Sequence, residues 1–156
     1  MEDKHIRKTH NVSLLLYHFV CPAKYRKVIF GDKVDNTLVE ICKDMELRYD
    51  IRFEEIGTDD DHVHFLIQSV PMYSPKQIIQ KIKSITAIWL FEKHKEIKKQ
   101  LRWWELWSKW YYVNTVGHYG NLDMIKEYVK NQWVEWYKKL YKSPYKTASL
   151  FDGMTF

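Results

Sequence analysis

Residues 11–20, NVSLLLYHFV, form a short run rich in β-formers that closes at Pro22, the pattern of a buried strand. Over residues 32–49 the apolar positions Val34, Leu38, Ile41, Cys42, Met45 and Tyr49 recur at helical spacing, with Asp32 as the expected N-cap. IRFEEIG (51–57), a charged turn (58–61) and HVHFLIQS (62–69) read as a hairpin. SPKQIIQKIKSITAIWLFEKH (74–94) predicts a second helix, capped by Ser74 and opened by Pro75 at its first position. A β-propensity run, WYYVNTVGHY, ends at Gly120, and Asn121 then caps LDMIKEYVKNQWVEWYKKLY, a long amphipathic helix that ends near Ser143 and Pro144. The tail from residue 145 shows no period and is left unassigned.

The predicted order is β-α-β-β-α-β-α. Strand–helix–strand twice over, with the middle strands joined by a hairpin, is an α+β arrangement of the ferredoxin-like (RRM-like) kind: four antiparallel strands, helices on one face and an added C-terminal helix. No repeat or Pro/Gly-rich linker interrupts it, so residues 1–156 are expected to be a single domain. That fold hosts many activities and selects none.

Composition narrows the class. With 46% apolar residues, five glycines and four prolines, disordered and fibrous classes are excluded. The polar start, MEDKHIRKTH, has no apolar signal core and no later window reaches membrane-spanning length, so a cytoplasmic protein without membrane association is expected. Cys21 and Cys42 match no metal or redox spacing and are expected as small buried hydrophobes.

A formal net charge of +5 favours an anionic partner, and its distribution says more. Basic residues cluster at Lys24–Lys27, at Lys93–Arg102 and at Lys138–Lys146, and the second cluster runs into RWWELWSKWYY (102–112). Cations interleaved with rings suit single-stranded nucleic acid, where phosphates are neutralised while unstacked bases find aromatic faces. A tryptophan-rich core edge with lysines on its solvated side gives the same pattern. Lys24, Arg26, Lys81, Lys83, Ser84, Arg102 and Trp104 are the candidate contacts to DNA.

The candidate chemistry starts at His62 and His64. Residues i and i+2 of a strand share a face, so both imidazoles project together while Val63 turns away, and the two can share one metal ion. On the last predicted helix Tyr128 and Gln132 stand four apart, on one face, so a phenol nucleophile and an amide ligand could address the same point. Gln132 would complete a set of two imidazoles and a neutral oxygen, with coordination positions left for a phosphate oxygen. Tyr and Gln at this spacing are also ordinary on a half-exposed helix. Asp61 can orient a histidine from behind, and Asp59, Asp60 and Asp61 together read either as a hard-cation site or as a charged turn.

HVH before an apolar run, then YVKNQ on a C-terminal helix, in a basic chain of this element order, resembles the single-tyrosine HUH transposases of bacterial and archaeal insertion sequences, the TnpA type. YHFVCPAKYRK, DHVHFLI, KSITAIWLF and YVKNQ all fall in that family's order, so the resemblance covers most of the chain. It departs just before the histidines, where the family often has proline-aspartate and this chain has Asp60-Asp61, which keeps the carboxylate.

The resemblance implies a DNA transposase that cleaves and rejoins single-stranded DNA at the hairpin-bearing ends of its own element. Tyr128 would form a 5′-phosphotyrosine intermediate. His62, His64 and Gln132 would hold a divalent ion, Mg²⁺ or Mn²⁺, and no nucleotide cofactor would be needed. It further implies a homodimer whose tyrosine helices can complete each other's sites, and a prokaryotic protein that joins the nucleoid when acting. Tyr137 and Tyr141 also stand four apart but lack a downstream glutamine, so packing roles are expected for both; Tyr111 and Tyr112 fall on a predicted strand, where one necessarily faces inward, and neither is taken as the nucleophile. Two other readings stay open: a non-catalytic, domesticated single-stranded nucleic-acid-binding protein, and a metal-dependent nuclease that uses water.

Overall fold

Alternating side chains along the central strands sort the sheet into a core face and a second face, and the order of elements decides which strands meet. The computed structural model describes residues 3–101 and 104–116. The chain divides into two units, Met1–His118 and Tyr119–Phe156, and the described residues all lie in the first. In chain order the elements are β1 (Ile6–Arg7), β2 (Val12–Ser13), β3 (Leu15–Pro22), α1 (Asp32–Arg48), β4 (Arg52–Asp59), β5 (His62–Ser69), α2 (Pro75–Lys93), α3 (Lys95–Gln100) and β6 (Tyr112–Thr115). The main sheet runs β4-β5-β3-β6 with every neighbouring pair antiparallel. This is the ferredoxin-like α+β topology; the predicted C-terminal helix falls outside the described residues.

Phe19 and Cys21 of β3, with Val63, Phe65 and Ile67 of β5, form one core with Leu38, Cys42 and Met45 of α1 and Ile78, Ile79, Ile82 and Leu90 of α2. Burying each of the larger of these side chains contributes about 1.5–3 kcal/mol. Both cysteines are free thiols in that core, and burial pushes the Cys21 thiol up to about 12. Such a thiol is not a nucleophile at neutral pH. The buried Trp107 indole stacks on Phe30 and donates to Thr86 Oγ1 at 2.9 Å, pinning the segment before β6 to α2. Among the described residues no helix is long and apolar enough to cross a membrane.

Local chemistry explains the ends. Ser74 accepts from the Gln77 amide while the Gln77 side chain accepts from the Ser74 amide, a reciprocal cap with Pro75 in the first turn. At α1 the N-cap is Gly31, and Asp32 lies inside the first turn with Asp35, where both carboxylates still favour the positive end of the helix dipole. The hairpin strand predicted to stop at residue 57 continues to Asp59, so the turn is Asp60-Asp61 alone. Residues 11–20 divide between β2 and β3, and β1 pairs with β2 in a small hairpin that the polar N-terminal pattern does not announce. α3 was also not predicted: its lysine-rich turn is held by the buried Ile97.

A bulge in β4 sets the register next to the histidines. Phe53 pairs with Ile67, but Glu55 pairs with Leu66, so one extra residue enters β4. Phe53 and Ile56 therefore both pack on the core, while Glu55, Gly57 and Asp59 come to lie opposite Leu66, His64 and His62.

Candidate active site

His62 and His64 occupy the sheet face opposite the core, side by side along β5 with Leu66 and Gln68, while Val63 points into the core. Both are buried, at 1% and 7% exposure. His62 starts the strand directly after the turn, and the turn backbone is fixed from outside. The Asp60 carbonyl accepts from the Ile29 and Phe30 amides at 3.0 and 3.2 Å, and the Asp61 carbonyl accepts from Ala23 at 2.8 Å. The i, i+2 expectation thus corresponds to two imidazoles on a rigid base.

Asp61 orients the first ring. His62 Nδ1 lies 2.8 Å from Asp61 Oδ1, and Arg26 Nε donates to Asp61 Oδ2 at 2.8 Å. Burial works to raise the Asp61 carboxyl, but the hydrogen bonds from His62 and Arg26 outweigh it and hold the group below its ordinary value. An ionised carboxylate only accepts, so the proton facing it belongs to His62 Nδ1, and in the neutral ring the lone pair sits on Nε2. That tautomer is the one a cation requires, and a carboxylate behind a ligating histidine is the usual arrangement at metal centres. Two imidazoles on one face, one with its tautomer fixed, are a donor pair that fits a divalent cation.

Arg26 reaches Asp61 through a strained turn. Residues Lys24–Arg26 form a short 3-10 turn in which Tyr25 and Arg26 have φ of 57° and 53°. A left-handed conformation costs a non-glycine residue about 1–2 kcal/mol. The turn sends Lys24 inward, Arg26 to Asp61, and Tyr25 into solvent.

The other acidic residues gather less. Asp59 Oδ2 stands 4.0 Å from His62 Nε2, and Asp59 Oδ1 accepts from the Asp60 amide. Among the described residues no group of three or more His, Cys, Asp or Glu side chains could hold a metal, so the three aspartates do not converge as a hard-cation site.

His18, a residue the sequence reading passed over, joins the cluster. It lies on β3 on the same face, its ring edge-on to His64 with centroids 5.9 Å apart. Burial lowers its imidazole to about 4, against a hydrogen bond with Asn114 that raises it. The available signal was parity: His18 alternates with Phe19 as His64 does with Phe65.

The candidate DNA contacts separate into two kinds. Lys24 is buried with Nζ 2.6 Å from Glu105 Oε2. Lys83 Nζ donates to the carbonyls of Ser108 at 2.8 Å and Trp110 at 3.0 Å, and burial lowers its ammonium. Arg26 is engaged with Asp61. These three serve internal partners. Lys81 Nζ lies 4.1 Å from the Tyr49 ring centre. Ser84 and Trp104 border an open groove of about 490 Å³ with Lys76, Gln80 and Tyr111. Trp104 is 69% exposed at φ 55°, with Lys98 Nζ 4.1 Å from its ring centre. Tyr111 packs against Phe19 in the core, while Tyr112, on the histidine face, is exposed and stands one strand removed from β5, with Val20 of β3 between it and His64. Tyr128, Gln132, Arg102, Tyr137 and Tyr141 lie outside the described residues.

Residues 11–132 match the family profile "Transposase IS200 like". The chain belongs to the IS200-like transposase family. The transposase is 32% identical over 123 residues to the transposase for insertion sequence element IS200 of Salmonella typhimurium, covering 76% of this chain and 77% of that one. It is 25% identical over 118 residues to the ISDra2 transposase TnpA of Deinococcus radiodurans, with 76% and 84% covered. Its fold is shared with a crystal structure described as a transposase from Deinococcus radiodurans R1, at TM-score 0.66 and 24% identity, over 81% of this chain and 97% of the other. It is shared more loosely with a REP-associated tyrosine transposase bound to a REP hairpin, at TM-score 0.50 and 7% identity, over 83% and 73%. The transposase therefore acts in DNA transposition.

Proposed function

We propose that this transposase cleaves and rejoins single-stranded DNA at the hairpin-bearing ends of its own insertion sequence, with Tyr128 as the nucleophile. The observation that carries the reading is the pair of buried imidazoles on one face of β5, with His62 oriented by Asp61 and Asp61 held by Arg26. In cleavage Tyr128 Oη bonds to the scissile phosphorus and the bond from phosphorus to O3′ breaks. The phenol proton is given up and the 3′ oxygen leaves as a hydroxyl. In joining, a 3′-hydroxyl attacks the phosphotyrosine, the bond from phosphorus to Oη breaks and the phenol is restored. Each step exchanges one phosphodiester for another, so no nucleotide cofactor is required.

His62, His64 and Gln132 would hold Mg²⁺ or Mn²⁺, which when bound supplies charge to polarise the phosphate. Imidazole favours Mn²⁺ over Mg²⁺. Asp61 and Arg26 keep the His62 lone pair on Nε2. Residues 1–156 then work as one catalytic domain in a homodimer in the prokaryotic cytoplasm, Tyr128 serving its own subunit's histidines or its partner's. Single-stranded DNA is bound by the exposed candidates Trp104 and Ser84, with half-buried Lys81 one turn before Ser84 on α2 and Arg102 two positions before Trp104 in sequence.

The test is incubation with single strands from the regions flanking the gene, with Mn²⁺, followed by denaturing electrophoresis of wild type and Tyr128→Phe. A covalent protein–DNA adduct in the wild type alone is the expected result. An adduct that persists in the variant moves the nucleophile to Tyr137 or Tyr141. Cleavage without an adduct indicates a water-using nuclease, and binding without cleavage on strands holding both ends indicates a binding protein.

A further inference from the structure

Gly57 stands directly across from His64 in the antiparallel pair of β4 and β5. A Cβ built on Gly57 would fall inside the His64 imidazole, overlapping Nε2, Cε1 and Cδ2. Glycine in a strand interior weakens the strand and marks a place where another group approaches the backbone closely. Gly57 is not among the residues with a left-handed backbone, so conformation does not demand glycine there, and the space taken by the ring is what does. From β3, on the other side of β5, His18 stands edge-on to the same ring with centroids 5.9 Å apart. The His64 ring, 7% exposed, is therefore seated between a bare strand backbone and a second imidazole.

We infer that Gly57 is a positioning residue: by leaving the cross-strand place empty it lets the His64 ring lie over the β4 backbone, the orientation from which His64 joins His62 in holding the divalent ion. The β4 bulge belongs to the same device, because the extra residue between Phe53 and Glu55 is what brings Gly57 opposite His64. The inference rests on the metal-binding reading of His64 given above. A methyl group at position 57 displaces the ring and leaves the strand able to form, since alanine costs a strand no more than glycine does.

The experiment is a double-mutant cycle on the full chain with two readouts: thermal midpoint without metal, and Mn²⁺ affinity by titration calorimetry. Expected are a lower midpoint for Gly57→Ala in the wild-type background and an unchanged or higher midpoint for the same change in the His64→Ala background. Mn²⁺ affinity is expected to fall at least about tenfold in Gly57→Ala, the lower end of what misorienting a ligand costs. If Gly57→Ala alone does not fold but the double variant does, the coupling is present in its strongest form and the seat is supported. An equal change of midpoint in both backgrounds overturns the inference, as does Mn²⁺ affinity within twofold of wild type in Gly57→Ala when His64→Ala abolishes it. Unchanged Mn²⁺ affinity in His64→Ala overturns the metal reading itself, and with it the assignment of Gly57 to metal binding, whatever the midpoints show.

Discussion

Asp61 is the residue on which the histidine pair depends most directly. Its two carboxylate oxygens face His62 and Arg26, each at 2.8 Å, so removing its charge releases both partners. Asp61→Asn keeps the shape but offers an amide with no fixed preference for the His62 proton. Under the proposed mechanism the rate of adduct formation and the Mn²⁺ affinity both fall about 10- to 100-fold, the usual cost of losing a group behind a metal ligand. Arg26→Ala leaves Asp61 in place and is expected to cost less in the same two assays. Equal rates in wild type and Asp61→Asn would remove Asp61 from the site. Adjacency in the sequence was enough to nominate Asp61. Arg26, 35 positions earlier, was nominated only as a DNA contact, because no local pattern says that a strained turn will aim it inward.

At the scale of elements, the path from the end of β3 to the segment before β6 holds the site's edge together. Ala23 bridges to Trp107, the Lys24 amide donates to the Leu106 carbonyl and the Ser108 amide donates to the Pro22 carbonyl, each of the latter two within 3.0 Å. Lys24 closes the junction by pairing with Glu105. The hydrogen bond from the Lys24 ammonium, with its charge, holds the Glu105 carboxyl below its ordinary value of 4.5. A depressed acid stabilises the fold above that ordinary value, and the contribution is lost as pH falls through the depressed one. Thermal midpoints measured from pH 7 down to pH 3 should therefore show wild type above Glu105→Gln at neutral pH. The two should converge in the acid range, and parallel curves would mean that the pair does not couple to folding. The helix and hairpin patterns were legible because each repeats within a few residues, as at the Ser74 cap and in HVHFLIQS. This junction joins residues more than 80 positions apart and has no such period.

For the whole molecule, the charge of +5 is a weaker guide than where the cations go. Lys24 and Lys83 are spent on internal partners, whereas Trp104 lines the groove beside α2 with the Lys98 ammonium against its ring. A base stacked on Trp104 is worth about 1–3 kcal/mol, so Trp104→Ala should weaken binding of a single-stranded oligonucleotide about 5- to 150-fold. Because no phosphate contact is lost, the slope of log affinity against log salt should stay the same. Fluorescence anisotropy over a salt series reads both quantities, and unchanged affinity would move the stacking surface elsewhere. The sequence by itself determined the β-α-β-β-α-β order of the main sheet and its two long helices, the ferredoxin-like topology, the shared face of His62 and His64, and the family. These follow from periodicity and from short motifs in order, which survive without knowledge of distant contacts. Only the tertiary structure decided that Asp61 is gripped by Arg26, that His18 flanks His64, that Lys24 and Lys83 face inward, and that Gly57 makes room for a ring. Each of those depends on which strands become neighbours and in what register, and a one-residue bulge is enough to change the answer.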